Sequence, residues 1–333
     1  MTRQPNKINI LTCVDDVSSA CPAATAGIDG VCMGVEKFVA EANRQSLAEL
    51  LARSQVLVHI PGQEIRTGDL GNRRSLNLIK GQLISFVCQP KLDHGSRFIP
   101  VNLATIPLSL EVGDIFTMGD GRIAFQVESL AEDRSRLVAK ALCAGCILAK
   151  QSIHWAKDNL VAHGQIADNQ VVSVRRLTVH ERRPHQIVLG DVRDADIVTR
   201  AQVQLSDTGV KVLAEIASGT GIENLAAIAQ KSDGIVINRR QLVIDMGDRY
   251  GAHTFDDIVG RTASKPIIVR GAFASSMLSE WDLSAADRED IAVQVRSGVS
   301  AIMLGGVFHK VPDRARLVEK LRGCITKALL TNA

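Results

Sequence analysis

Eight short runs that are apolar on both faces, spaced by amphipathic stretches, constrain the fold of this chain more than any other feature. They are Ile8–Val14, Gly30–Met33, Val56–Ile60, Gln186–Leu189, Lys211–Ile216, Gly234–Ile237, Pro266–Val269 and Ala301–Leu304. A strand covered on one side alternates apolar and polar residues, whereas a parallel strand covered on both sides reads as a near-continuous apolar run. The stretches between them include Glu36–Ser54, Asp194–Gln204, Gly221–Lys231, Asp256–Ala263 and Ala285–Gly298, with amphipathic, helix-like patterning. Gly221 opens one predicted helix, and Ser284 is placed to cap another with Asp287 three residues on. Eight strands alternating with helices predict an α/β protein, a (β/α)8 TIM barrel, whose chemistry sits at the C-terminal ends of the strands.

Residues 61–185 separate the third run from the fourth, too long a stretch for a loop in a compact domain. From Gly68 to about Ala167 the texture changes to alternating strands at Leu83–Cys88, Ile115–Thr117, Ile123–Val127 and Leu137–Leu142. Turn signals lie at Gly119-Asp120-Gly121 and Ala131-Glu132-Asp133. This predicts a small β domain over residues 69–167, inserted after barrel strand three, with residues 1–68 and 168–333 forming the barrel. A chain of 333 residues suits that arrangement. An aromatic share of 3% with one tyrosine predicts an aliphatic core. A net charge of +3, without a basic block interleaved with aromatics, argues against a nucleic-acid partner. No apolar run approaches the roughly 20 residues of a membrane span, and residues 1–7 carry no signal-peptide core, so no membrane partner and a cytoplasmic location are expected. Seven cysteines do not suggest a complete disulfide framework, and Cys143-Ala144-Gly145-Cys146, with no second pair, reads as loop packing.

Several segments together resemble the pyruvate kinase family. Glu64-Ile65-Arg66-Thr67-Gly68 is similar to the family's K-G-P-[EK]-I-R-T-G, where its β-barrel lid is inserted, and Gly119-Asp120-Gly121-Arg122-Ile123 is similar to the lid's D-D-G-x-I. Ser232-Asp233-Gly234-Ile235 and Ala301-Ile302-Met303-Leu304-Gly305-Gly306 resemble S-D-G-I and C-I-M-L-S-G. Order and spacing agree across nearly the whole chain. The resemblance implies a pyruvate kinase-like barrel with a small β-barrel lid. The family's C-terminal domain, which carries effector binding and subunit contacts, has no counterpart here, which leaves a homo-oligomer open as an arrangement.

The same resemblance implies a changed site. The family holds a divalent metal with the Glu of K-I-E-N-x-E-G and the Asp of R-G-D-L-G. Those segments read Glu215-Ile216-Ala217-Ser218-Gly219-Thr220-Gly221 and Arg239-Arg240-Gln241-Leu242-Val243 here. Ala217 and Gln241 replace both carboxylates that a hard cation prefers, and Glu215 stands where the family has a lysine facing the transferred phosphoryl group. The family's R-x-N-x-S-H, used for nucleotide phosphate and a monovalent cation, becomes Cys32-Met33-Gly34-Val35-Glu36. Its D-x-K-G-P becomes His59-Ile60-Pro61-Gly62-Gln63, and the threonine of A-T-Q-M aligns with Gly271. The magnesium and potassium that the family uses therefore lose their ligands, and no cofactor or metal is expected.

Glu215, Arg239 and His59 are the expected catalytic residues. A small anionic metabolite, a carboxylate or phosphate, would bind through Arg66, Ser218, Gly219, Arg240, Gln241, Arg270 and Gly271, since arginine forks and a glycine turn before a helix suit such groups. Asp120 keeps the acidic position of the lid, and His253, His309 and Asp191 have weaker cases. The expected function is a pyruvate kinase-like enzyme of altered chemistry, or a sensor, that has lost transfer from phosphoenolpyruvate to ADP. The alternatives are an active pyruvate kinase with divergent ligands and a non-catalytic partner subunit.

Overall fold

The computed structural model describes residues 7–62, 65–71, 73, 75–88, 98–103, 105–107, 110–119, 121–149, 151–155, 163–247, 255–262, 264–305 and 307–331. The chain divides into two compact units: Met1–Gly62, Gly164–Arg240 and Arg249–Ala333 form one, and Gln63–His163 with Gln241–Asp248 form the other.

In the first unit, eight parallel strands close into a barrel. The first three are β1 (Asn9–Cys13), β2 (Gly30–Gly34) and β3 (Gln55–Ile60). The second unit supplies β4 (Ile65–Arg66), β5 (Ser75–Leu78), β6 (Leu83–Cys88), β7 (Phe98–Val101), β8 (Ile115–Met118), β9 (Ile123–Leu130), β10 (Arg136–Ala141), β11 (Gly145–Leu148) and β12 (Ser152–Trp155). The barrel resumes with β13 (Gln186–Leu189), β14 (Lys211–Ile216), β15 (Gly234–Asn238), β16 (Ile267–Gly271) and β17 (Ala301–Leu304). Its closing order is β1-β17-β16-β15-β14-β13-β3-β2. β3 and β13 are direct neighbours, Leu57 opposite Gln186, so the insertion leaves the barrel's register intact. Burial on both faces, of all of β17 and of every residue of β14 after Lys211, explains why these segments read as continuous apolar runs.

Leu11, Cys32, Leu57, Val188, Leu213, Val236, Ile268, Ala301 and Met303 fill the barrel's interior. Helices wrap the outside and start where short polar side chains replace missing intrahelical acceptors. Asp16, Asp194, Ser218, Ser284 and Asp313 each accept a backbone N–H at a helix start. Residues 36–54 form two helices rather than one, Val35–Glu41 and Gln45–Arg53, because Arg44 is extended (φ −82°, ψ 139°) and its N–H closes a turn on Glu41.

The second unit is antiparallel for the most part, in the order β4-β12-β8-β9-β10-β6-β7, with β11 paired to β5. A bridge between Thr67 and Val101 joins the two ends of that sheet. Its core corrects the expectation of purely aliphatic packing: Phe86, Phe116 and Phe125 form one cluster with ring centroids 5.2–5.3 Å apart. Among the described residues, no helix is long and apolar enough to cross a membrane.

Candidate functional site

The pleat carries the barrel's inner face from its apolar middle to its C-terminal mouth. Side chains two apart on a strand share a face, so the residues two beyond the inward-facing Leu11, Leu57, Leu213, Val236 and Ile268 also point inward. They are Cys13, His59, Glu215, Asn238 and Arg270. Every strand named ends at or just beyond these positions. A polar layer therefore sits on the apolar interior at the end of the barrel where such folds do chemistry.

Glu215 is its centre, 2% exposed. Its Oε2 accepts from His59 Nε2 at 3.0 Å, and its Oε1 accepts from Arg270 Nη1 at 2.9 Å and from Asn238 Nδ2 at 3.1 Å. Burial pushes the carboxyl upward, but the charges and hydrogen bonds of His59 and Arg270 outweigh it and leave the group at about 2. Glu215 is thus a carboxylate at neutral pH. A carboxylate only accepts, so the hydrogen of this contact resides on His59 Nε2. His59 and Arg270 keep 18% and 32% of their side chains exposed, which places both between the buried anion and solvent.

Two further groups face this layer. Cys13 and Cys32 are register partners on β1 and β2. The Cys13 thiol is lowered to about 6, first by a hydrogen bond from Cys32 and then by the positive charges of Arg270 and His59, against burial and Glu215. Cys32 is raised because it donates to Cys13 and is buried. Where β3 and β13 end, Gly62 and Gly190 bring their backbones together: a Cβ on Gly62 would lie 2.1 Å from the Gly190 carbonyl oxygen. Gln170 Nε2 ties both ends down, donating to the carbonyls of Gly190 (2.9 Å) and Pro61 (3.3 Å). Asp191 follows in the left-handed region (φ 46°), its Oδ2 paired with Arg193 at 2.9 Å. Its Oδ1 is buried without a hydrogen-bond partner among the described residues.

Of the residues singled out from sequence, Glu215, His59 and Arg270 come together. Arg239 goes elsewhere: its Nη1 lies 2.7 and 2.9 Å from the two Asp290 carboxylate oxygens, and its guanidinium stacks 5.5 Å from the Phe273 ring centroid. Arg240 is exposed. Ser218 is 1% exposed and accepts from the Gly221 N–H at 3.4 Å as a helix cap, with Gly219 buried beside it. Gly271 ends β16 next to the Phe273 ring. Arg66 and Gln241 group with the second unit. There the Arg66 backbone exchanges hydrogen bonds with Asn102, and Gln241 Nε2 lies 2.6 Å from His154 Nδ1. His309 Nε2 donates to the Cys13 carbonyl. Asp120 and His253 lie outside the described residues.

Asn238 and Cys13 belong to the layer, and Cys32 lies beside it in the apolar interior, although sequence reasoning assigned them no role. The signal was available in the two-residue spacing from Val236 to Asn238 and from Leu11 to Cys13. Asp290, the partner of Arg239, carries no such signal, because it is 51 residues away on another element.

The donor set does not fit the divalent cation that the fold's resemblance implies. Ala217 offers no side-chain oxygen, Gln241 offers only a neutral amide whose Nε2 lies 2.6 Å from His154 Nδ1, and no group of three or more His, Cys, Asp or Glu side chains is placed to hold a metal among the described residues.

Comparison with known proteins agrees with this architecture. Residues 35–310 match the family model described as the pyruvate kinase barrel domain. Pyruvate kinase of Thermotoga maritima is 24% identical over 253 residues, covering 75% of this chain and 53% of that protein. Plastidial pyruvate kinase 2 of Arabidopsis thaliana is 24% identical over 306 residues, covering 89% and 50%. Pyruvate kinase of Aeropyrum pernix is 24% identical over 288 residues, covering 82% and 58%. The chain thus spans about half the length of the curated relatives it matches.

Proposed function

The chain belongs to the pyruvate kinase family through its barrel domain, and on that premise we propose that it binds a small carboxylate- or phosphate-bearing metabolite at the barrel mouth without transferring phosphate from phosphoenolpyruvate to ADP. The observation that carries this reading is the buried Glu215 carboxylate held by His59, Asn238 and Arg270. Phosphoryl transfer is driven by positive charge arranged around the transferred group. Here an anion occupies the centre of the mouth and takes up the charge of Arg270. At ~4 Å and an effective dielectric near 20, a like charge repels an incoming phosphoryl oxygen by roughly 4 kcal/mol. No step is routed through a divalent cation, because Ala217 and Gln241 do not make a site for one.

The same layer suits recognition of a small anion. Glu215 fixes Arg270 through Nη1, and the 32% of that side chain left exposed gives a ligand carboxylate or phosphate a guanidinium edge already oriented. His59 is fixed through Nε2 and reaches solvent. It is the group that moves a proton to or from a ligand held on Arg270, with Glu215 stabilising the imidazolium that forms. Glu215 is in this scheme a positioning residue, acting through its two neighbours.

Titration calorimetry with pyruvate, oxalate, inorganic phosphate and phosphoenolpyruvate tests the proposal. At least one binds the wild-type chain, and Arg270→Met weakens it by about tenfold or more, the loss of one charge-assisted hydrogen bond. If none of the four binds, or if Arg270→Met binds as tightly as wild type, the proposal fails.

A further inference from the structure

We propose that Cys13 and Cys32 form a peroxide-reactive dithiol at the barrel mouth, with Cys13 as the attacking thiol and Cys32 as the resolving one. The geometry comes from the barrel itself. Cys13 and Cys32 sit directly opposite each other on the neighbouring parallel strands β1 and β2, and both contact the apolar interior cluster. Paired residues on adjacent strands have Cα atoms roughly 5 Å apart and point to the same face, inside the range that a disulfide spans. The two sulfurs also differ in access: Cys13 is partly exposed at the mouth, whereas Cys32 is buried one layer in.

Their surroundings separate the roles further. Arg270 and His59 favour the Cys13 thiolate, and Cys32 supplies it with a hydrogen bond. Cys88 and Cys324, by contrast, are buried thiols that burial pushes upward, Cys88 to about 11. Reactivity of a thiol follows its thiolate fraction and its access, and Cys13 exceeds Cys88 and Cys324 on both counts.

The steps balance with hydrogen peroxide as the oxidant. The Cys13 thiolate attacks one peroxide oxygen; the S–O bond forms, the O–O bond breaks, and the departing hydroxide takes a proton to become water. Cys32 then loses its proton and attacks the sulfenic sulfur, so that the S–S bond forms, the S–O bond breaks and a second water leaves. Two thiols and one peroxide give one disulfide and two waters. Because the product removes the thiolate beside Arg270, oxidation also alters the charge balance of the anion site.

The experiment uses the full chain treated with stoichiometric hydrogen peroxide, then alkylated and digested at aspartate. Cutting before Asp15, Asp16 and Asp29 places Cys13, Cys21 and Cys32 on three separate fragments. The expected product is a cross-linked pair of residues 1–14 with 29–68 and an intact mass lower by about 2 Da, reversed by dithiothreitol. In Cys32→Ser the reaction stops at a Cys13 sulfenic acid, trapped by a dimedone-type reagent, whereas Cys324→Ser behaves as wild type. A cross-link from Cys13 to Cys21, or a chain that keeps Cys13 reduced under these conditions, overturns the proposal. The wild-type fragment map decides the matter even if a variant fails to fold.

Discussion

Arg270→Met should destabilise the barrel far more than its partly exposed position suggests, because it strips a cation from a carboxylate that has nowhere else to go. Arg270 Nη1 and Glu215 Oε1 are 2.9 Å apart. At an effective dielectric of 20 the gross attraction at that distance is roughly 6 kcal/mol, and desolvation of Glu215 cancels part of it. Breaking a buried pair from one side costs about 3–5 kcal/mol in general. With about a third of Arg270 in water, and with His59 and Asn238 still on Glu215, we expect about 3 kcal/mol. Glu215→Gln should cost less, about 1–2 kcal/mol, since the amide oxygen still accepts and Arg270 can hydrate. The double variant should be more stable than the sum of the two losses predicts, by about 2 kcal/mol of coupling. Urea unfolding followed by far-ultraviolet circular dichroism gives the four stabilities. The slope must be common to all four before midpoints are compared, because the chain has two compact units. If the losses add to within about 0.5 kcal/mol, the buried network is not an energetic unit and the reasoning is wrong.

Three other perturbations follow from the same structure. The stability difference between wild type and Glu215→Gln, again about 1–2 kcal/mol, should be constant above pH 4.5, the ordinary value, and fade as pH falls towards 2, because a depressed folded-state value stabilises only while the group is ionised; a difference that survives unchanged at pH 2 contradicts it. Gly62→Ala places a Cβ 2.1 Å from the Gly190 carbonyl, so we expect a loss of about 2 kcal/mol in thermal or urea denaturation, and no loss would mean that the two backbones are not in contact. Phe125→Ala removes one ring from the three-phenylalanine core and should cost about 3–5 kcal/mol, read by hydrogen exchange as faster opening of β8, β9 and β10; unchanged protection there rules out the cluster as the core of that unit.

The barrel was legible because burial on both faces leaves an unambiguous mark, as in Val212-Leu213-Ala214 and Ala301-Ile302-Met303-Leu304. In the second unit Leu83–Cys88 was legible by its alternation, and the short β8 (Ile115–Met118) with the help of the turn signal Gly119-Asp120-Gly121 just behind it. Ser75–Leu78 and Gly145–Leu148 pair over four residues each and carry too few side chains for a period to register. Glu215 stood out as a charge at the end of an apolar strand, and that oddity led to the centre of the site. Its partners could be read only in part. His59 and Arg270 lie one residue from the ends of their own strands, so a rule about strand ends finds them. Cys13 and Asn238 are the last residues of β1 and β15 and fall under the same rule, but their partners come from barrel closure, which no local pattern records. Arg239 illustrates the opposite failure. It sits at a strand end beside Arg240 and Gln241, yet Asp290 and Phe273 on distant segments take its guanidinium.

The most direct test of the altered mouth is a coupled assay of the purified chain for pyruvate formation from phosphoenolpyruvate and ADP, with magnesium and potassium ions present. With the Glu215 carboxylate at the centre of the mouth, no pyruvate should form above the rate without protein. Sustained turnover that scales with protein concentration, and that Glu215→Gln does not raise, would contradict the account.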